Sequence, residues 1–121
     1  MLHMDFAMRF NGKRFAIDTT GFQTRKLEDM YKENISNKYK VYNFNHFFFY
    51  NSNYGVTVGL VDSEERVIIY LPKHLLSVFQ KIDSEPEAVE MVEAGLVGFQ
   101  IYTYTRDGKE FYSIRFVNKE E

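Results

Sequence analysis

The chain has 121 residues, 45% hydrophobic and 17% aromatic, with no cysteine and a formal net charge of -2. That length supports one domain around a single core, and the absence of cysteine excludes disulfides, thiolate nucleophiles and zinc–thiolate sites, in keeping with a cytoplasmic protein. No apolar run approaches the roughly 18–20 residues of a membrane span, no signal-peptide pattern opens the chain, and the charge balance excludes a globally basic nucleic-acid binder.

A local basic region remains open, because residues 1–50 hold eight basic against five acidic side chains while residues 51–121 hold seven against twelve. Residues 1–12 are expected to be a flexible lead segment, followed by a short strand over Arg14 to Asp18. Beyond Gly21, Leu27, Met30, Tyr31 and Ile35 recur at helical spacing behind Thr24 as N-cap, which favours a helix over Thr24 to Ile35. The alternation of Phe22, Thr24 and Lys26 supports a strand as the competing reading.

Tyr39 to Tyr50 reads as one aromatic strand with rings on both faces. A three-residue loop, Asn51-Ser52-Asn53, would join it to a strand over Tyr54 to Val61 and set Phe44, His46 and Phe48 against Leu60, Val58 and Val56 as the core face. Phe47 and Phe49 then point away from the core, and His46 is expected to be largely buried against Val58 and Phe48 without binding metal. Arg66 to Leu71 is a third strand closed by Pro72, with a short helix through Ile82 behind it. A second helix spans Pro86 to Ala94, stopped by Gly95, and its Glu87, Glu90 and Glu93 read as a solvated face.

The closing element is a hairpin, Val97 to Thr105 and Glu110 to Asn118, around Asp107-Gly108, the pair a type I′ turn prefers. Its two-residue loop fixes the register. Arg106 faces Lys109, Tyr104 faces Phe111, Tyr102 faces Ser113 and Gln100 faces Arg115 on one side, while Thr103–Tyr112, Ile101–Ile114 and Phe99–Phe116 form the core side. The order of strands, with a helical insertion between the third and fourth, predicts a mainly β chain with an OB-fold, a five-stranded partly open barrel.

No enzymatic constellation is present. His3, His46 and His74 are isolated, no glycine loop cradles a phosphate, and Ser52 and Ser113 lack a nucleophile-elbow context. What remains is a sheet face offering Phe47, Phe49, Tyr102, Tyr104 and Phe111, with Gln100 among them and Lys40, Arg106, Lys109 and Arg115 at its margins. Rings that stack bases beside cations that neutralise phosphates point to single-stranded nucleic acid, with no catalytic, metal or cofactor site. The competing readings are a second small core covered by the N-terminal segment or a partner subunit, and an aromatic face that docks on a host protein.

The strings Tyr42-Asn43-Phe44-Asn45-His46-Phe47-Phe48-Phe49-Tyr50, Tyr54-Gly55-Val56-Thr57-Val58, Tyr70-Leu71-Pro72, Gly98-Phe99-Gln100-Ile101-Tyr102 and Phe111-Tyr112-Ser113 resemble the small single-stranded DNA-binding proteins of lactococcal and streptococcal tailed bacteriophages. The resemblance covers residues 22 to 118. It implies an OB-fold, sequence-tolerant binding of single-stranded DNA in phage replication or recombination within the host cytoplasm, homo-oligomerisation, and cooperation with recombinases. Bacterial relatives recruit partners through an acidic tail tipped with apolar residues, and Lys119-Glu120-Glu121 does not supply one.

Overall fold

The computed structural model describes residues 20–53 and 55–119, so the predicted lead segment and the predicted strand Arg14 to Asp18 lie outside the described residues. The chain is mainly β, and its described strands form two sheets that do not close into a barrel. One sheet has four strands in the order β1-β5-β4-β3, and the other has three in the order β2-β6-β7.

The segment predicted as a helix from Thr24 divides. Gln23–Lys26 is a strand (β1), and the helix (α1) runs only over Leu27–Glu33. Strand β1 pairs in parallel with β5 (Val67–Tyr70), Thr24 opposite Ile68 and Lys26 opposite Tyr70, so tertiary pairing decides the contest that local spacing left open. Lys26, not Thr24, is the N-cap, with extended φ and ψ of -115° and 153° and no side-chain cap bond. Leu27 and Met30 are buried, whereas Ile35 lies past the helix end and is exposed.

The aromatic strand is also two pieces, β2 (Tyr42–Asn43) and β3 (His46–Ser52), one in each sheet. At the bend between them, the Asn45 amide donates to the Val61 carbonyl at 2.9 Å and the Ser63 amide donates to Asn45 Oδ1 at 3.0 Å. The bend breaks the two-residue alternation. Phe44 and Phe47, three apart and on opposite faces of any straight strand, are each 1% exposed.

Strand β4 (Gly55–Asp62) begins with Gly55 paired to Ser52 and at a φ of +104°. Register then sets Phe47 against Leu60, Phe49 against Val58 and Phe48 against Gly59. The expected pairing is displaced by three residues, an odd number, and an odd displacement exchanges the faces of a strand. Phe47, Phe49, Val58 and Leu60 therefore line the core, while His46, Phe48 and Tyr50 lie on the outer face. His46 is half-buried, paired with Val61, and its Nδ1 lies 3.8 Å from a Glu93 carboxylate oxygen. Gly59 has a specific role: a Cβ there would lie 2.4 Å from the Phe48 ring, which occupies that space.

Past β5, Pro72 leads into a 3-10 turn (Lys73–Leu75), then α2 (Leu76–Asp83) and α3 (Pro86–Glu93), close to prediction. Pro86 sits in the first turn of α3, and Gly95, at φ +76°, follows its end. These helices place Leu75, Phe79, Val89 and Val92 against the inner faces of both sheets. Phe44 packs edge-on to Phe79 and Phe99, so one ring at the strand bend ties the helices to the second sheet.

The closing hairpin, β6 (Val97–Arg106) and β7 (Lys109–Asn118), has every expected pair in register. Asp107 and Gly108, at φ +53° and +76°, supply the two positive φ angles of a type I′ turn. Phe99, Ile101 and Ile114 are buried on the core side.

Candidate nucleic-acid interface

The second side of this hairpin carries most of the predicted binding residues in one row. Same-face pairs follow one another about 7 Å apart along extended strands, so Gln100–Arg115, Tyr102–Ser113, Tyr104–Phe111 and Arg106–Lys109 form four successive rungs ending at the turn. Tyr104 stacks on Phe111, with ring centroids 5.5 Å apart and planes 25° from parallel, and Tyr102 lies 6.4 Å from Tyr104 at 45°. Tyr102 and Phe111 remain 40% and 39% exposed, leaving ring surface open beside the strands. Arg106, Lys109 and Arg115 are exposed, and their side chains make no hydrogen bond or ion pair among the described residues.

One rung is not the open polar position that alternation suggests. Ser113 is only 3% exposed because the Lys73–Leu75 turn lies against it, with Ser113 Oγ 3.0 Å from His74 Nε2. His74 also meets Tyr104 edge-on at 5.9 Å. Burial among these neighbours lowers the His74 pKa below the ordinary histidine value, so the imidazole is neutral at pH 7. The pair thus fixes the turn between β5 and α2 to the ring row.

Three predicted residues belong elsewhere. Phe47 and Phe49, expected as exposed stacking rings, pack in the core, where Phe47 also meets Phe79 at 5.2 Å, because the bend and the register reverse their face. Lys40 is turned toward α1: its Nζ donates to Asn34 Oδ1 at 3.3 Å and lies 5.3 Å from the Tyr42 ring centre. Gln100 stays on the row, its Nε2 donating to the Tyr39 carbonyl at 2.8 Å.

Two features escape sequence reasoning. Phe48, Tyr50 and Tyr70 form a half-buried aromatic cluster on the outer face of the four-stranded sheet, with Tyr50 and Tyr70 centroids 5.1 Å apart. The glycine at position 55 was the available signal, since glycine accepts the positive φ found there and its pairing with Ser52 sets the observed register. The other is a cleft of about 390 Å³ where the hairpin passes the end of β5, with Tyr70, Pro72, His74, Glu110 and Phe111 in its walls. Tyr112 donates its hydroxyl to Glu110 Oε1 at 3.2 Å, and burial, reinforced by the Glu110 charge, raises the phenol pKa and keeps that donor protonated.

Among the described residues no helix is long and apolar enough to cross a membrane. No protein family, curated protein or solved structure matches this chain.

Proposed function

We propose that this chain is a non-enzymatic, sequence-tolerant single-stranded DNA-binding protein. The observation that carries the reading is the row Tyr102–Tyr104–Phe111, partly exposed and bordered by Arg106, Lys109 and Arg115 with no internal ion pairs among the described residues. Bases would stack on the rings at about 1–3 kcal/mol each, and the three cations would release counterions from the phosphate backbone. The strand order is compatible with an OB-fold if β2 and β3 count as one bent strand: a β3-β4-β5 meander, helices between the third and fourth strands, and a closing hairpin. In this reading β1 occupies the β5 edge and holds the barrel open. The biological setting we propose is phage replication or recombination in the host cytoplasm, as a homo-oligomer working with recombinases.

Fluorescence titration with oligo-dT, duplex DNA and single-stranded RNA at two salt concentrations tests the proposal. Oligo-dT is expected to bind far more tightly than duplex, since only unstacked bases present their π-faces to the rings. Equal affinity for duplex and single strands would reduce the interaction to electrostatic adhesion and overturn the reading.

A further inference from the structure

The cleft beside the ring row has a chemistry different from the row itself. Phe111 belongs to both, stacked on Tyr104 on one side and forming a cleft wall on the other, so a strand lying on the rings runs directly to the cleft mouth. Tyr70 and Pro72 offer further apolar wall, and the volume of about 390 Å³ accommodates one planar heterocycle. Its charged members are Glu28, Glu110 and Lys26. Glu28 is committed to Lys32 at 2.6 Å, whereas Glu110 receives one hydroxyl bond on Oε1, leaving Oε2 as a hydrogen-bond acceptor.

We infer that this cleft takes a single nucleobase splayed out of the bound strand, and that Glu110 selects a base presenting an exocyclic amino group, cytosine over thymine. The inference rests on the proposed single-stranded DNA binding and deepens it. A carboxylate accepts from the cytosine N4 amino group, where thymine presents the O4 carbonyl, a second acceptor, at the same position. The selectivity is modest because it adds one partly solvated hydrogen bond to stacking that accepts any base.

The test compares oligo-dC with oligo-dT of equal length, binding to the full chain and to Glu110→Gln. Glutamine preserves side-chain size and can still accept the Tyr112 hydroxyl, and its amide can donate to thymine O4. Oligo-dC is expected to bind about three- to tenfold more tightly than oligo-dT to the unaltered protein, with the ratio falling to near one in Glu110→Gln. Tight binding of both oligonucleotides with equal affinity, or a ratio unchanged by Glu110→Gln, overturns the cleft assignment and leaves the ring row standing. Failure of every oligonucleotide to bind overturns both. Unfolding of Glu110→Gln by circular dichroism is checked first; if it unfolds, the wild-type ratio alone decides, a ratio near one overturning the assignment.

Discussion

Stacking and packing can be separated on a single strand, because Phe99 and Tyr102 lie three residues apart on β6 with opposite faces. Phe99 has no exposed surface and meets Tyr42 at 5.5 Å and Phe44 at 5.8 Å, so Phe99→Ala leaves a cavity where two sheets join. The expected loss is about 3–5 kcal/mol of stability, corresponding to a melting temperature lower by roughly 10–20 °C for a chain of this size. Tyr102 is 40% exposed and its ring contact with Tyr104 is tilted and long, so Tyr102→Ala is expected to cost about 1 kcal/mol of stability or less. In oligo-dT binding the same substitution is expected to cost about 1–3 kcal/mol, roughly a 5- to 150-fold weaker dissociation constant. Thermal unfolding followed by circular dichroism and fluorescence titration at fixed salt supply the two readings. If Tyr102→Ala lowered the melting temperature as far as Phe99→Ala and left oligo-dT affinity intact, the facing of this hairpin and the interface built on it would be refuted.

Neutralising Arg106, Lys109 or Arg115 singly to alanine is expected to reduce the slope of log K against log salt by about 0.7 each, whereas Lys40→Ala, already engaged with Asn34 and Tyr42, is expected to change it little. Phe47→Ala should destabilise the protein by about 3–5 kcal/mol in urea unfolding, and a loss below about 1 kcal/mol would return Phe47 to the surface. Gly59→Ala is expected to cost about 1–3 kcal/mol through collision with the Phe48 ring, and Phe48→Ala in the same chain should recover much of it, a non-additivity that independent sites would not show. Burial lowers the His74 pKa in the folded state, so the unfolded chain binds more protons below its ordinary value of about 6.5. Stability from this group is therefore complete above that value and declines as pH falls toward the folded pKa. Urea midpoints at pH 7.5 and 5.5 should differ more for the wild type than for His74→Gln, and equal differences would remove His74 as the cause.

The two hairpins differ in legibility because their turns differ. Asp107-Gly108 accepts two positive φ angles and leaves one loop length, so every pair from Val97–Asn118 to Arg106–Lys109 follows from it. The run Asn51-Ser52-Asn53 carries turn composition without such a constraint, and placing the loop there displaces the partner strand by three residues. Periodicity could not correct the error, since Phe44, Phe47, Phe48 and Phe49 satisfy an apolar face in either register and the bend at Asn45 interrupts the alternation. The division of residues 23–33 into strand and helix depends on β5, a partner more than forty residues away, which local spacing does not contain.

The charge balance left a local basic region open in the first fifty residues, and three of the cations there are already engaged within the fold. Arg25 is paired with Glu33, Lys32 with Glu28, and Lys40 is engaged with Asn34 and Tyr42, so each has an intramolecular partner on or beside α1. A cation already near a carboxylate gains less from a phosphate, because the approaching anion must also meet the negative partner. Arg106, Lys109 and Arg115 come from the acidic half and have no such partner among the described residues, and the rungs of one hairpin carry them beside Tyr102, Tyr104 and Phe111. Whether a basic group can serve a polyanion is thus decided by its neighbours in space, and the net charge of -2 is compatible with a local cationic row.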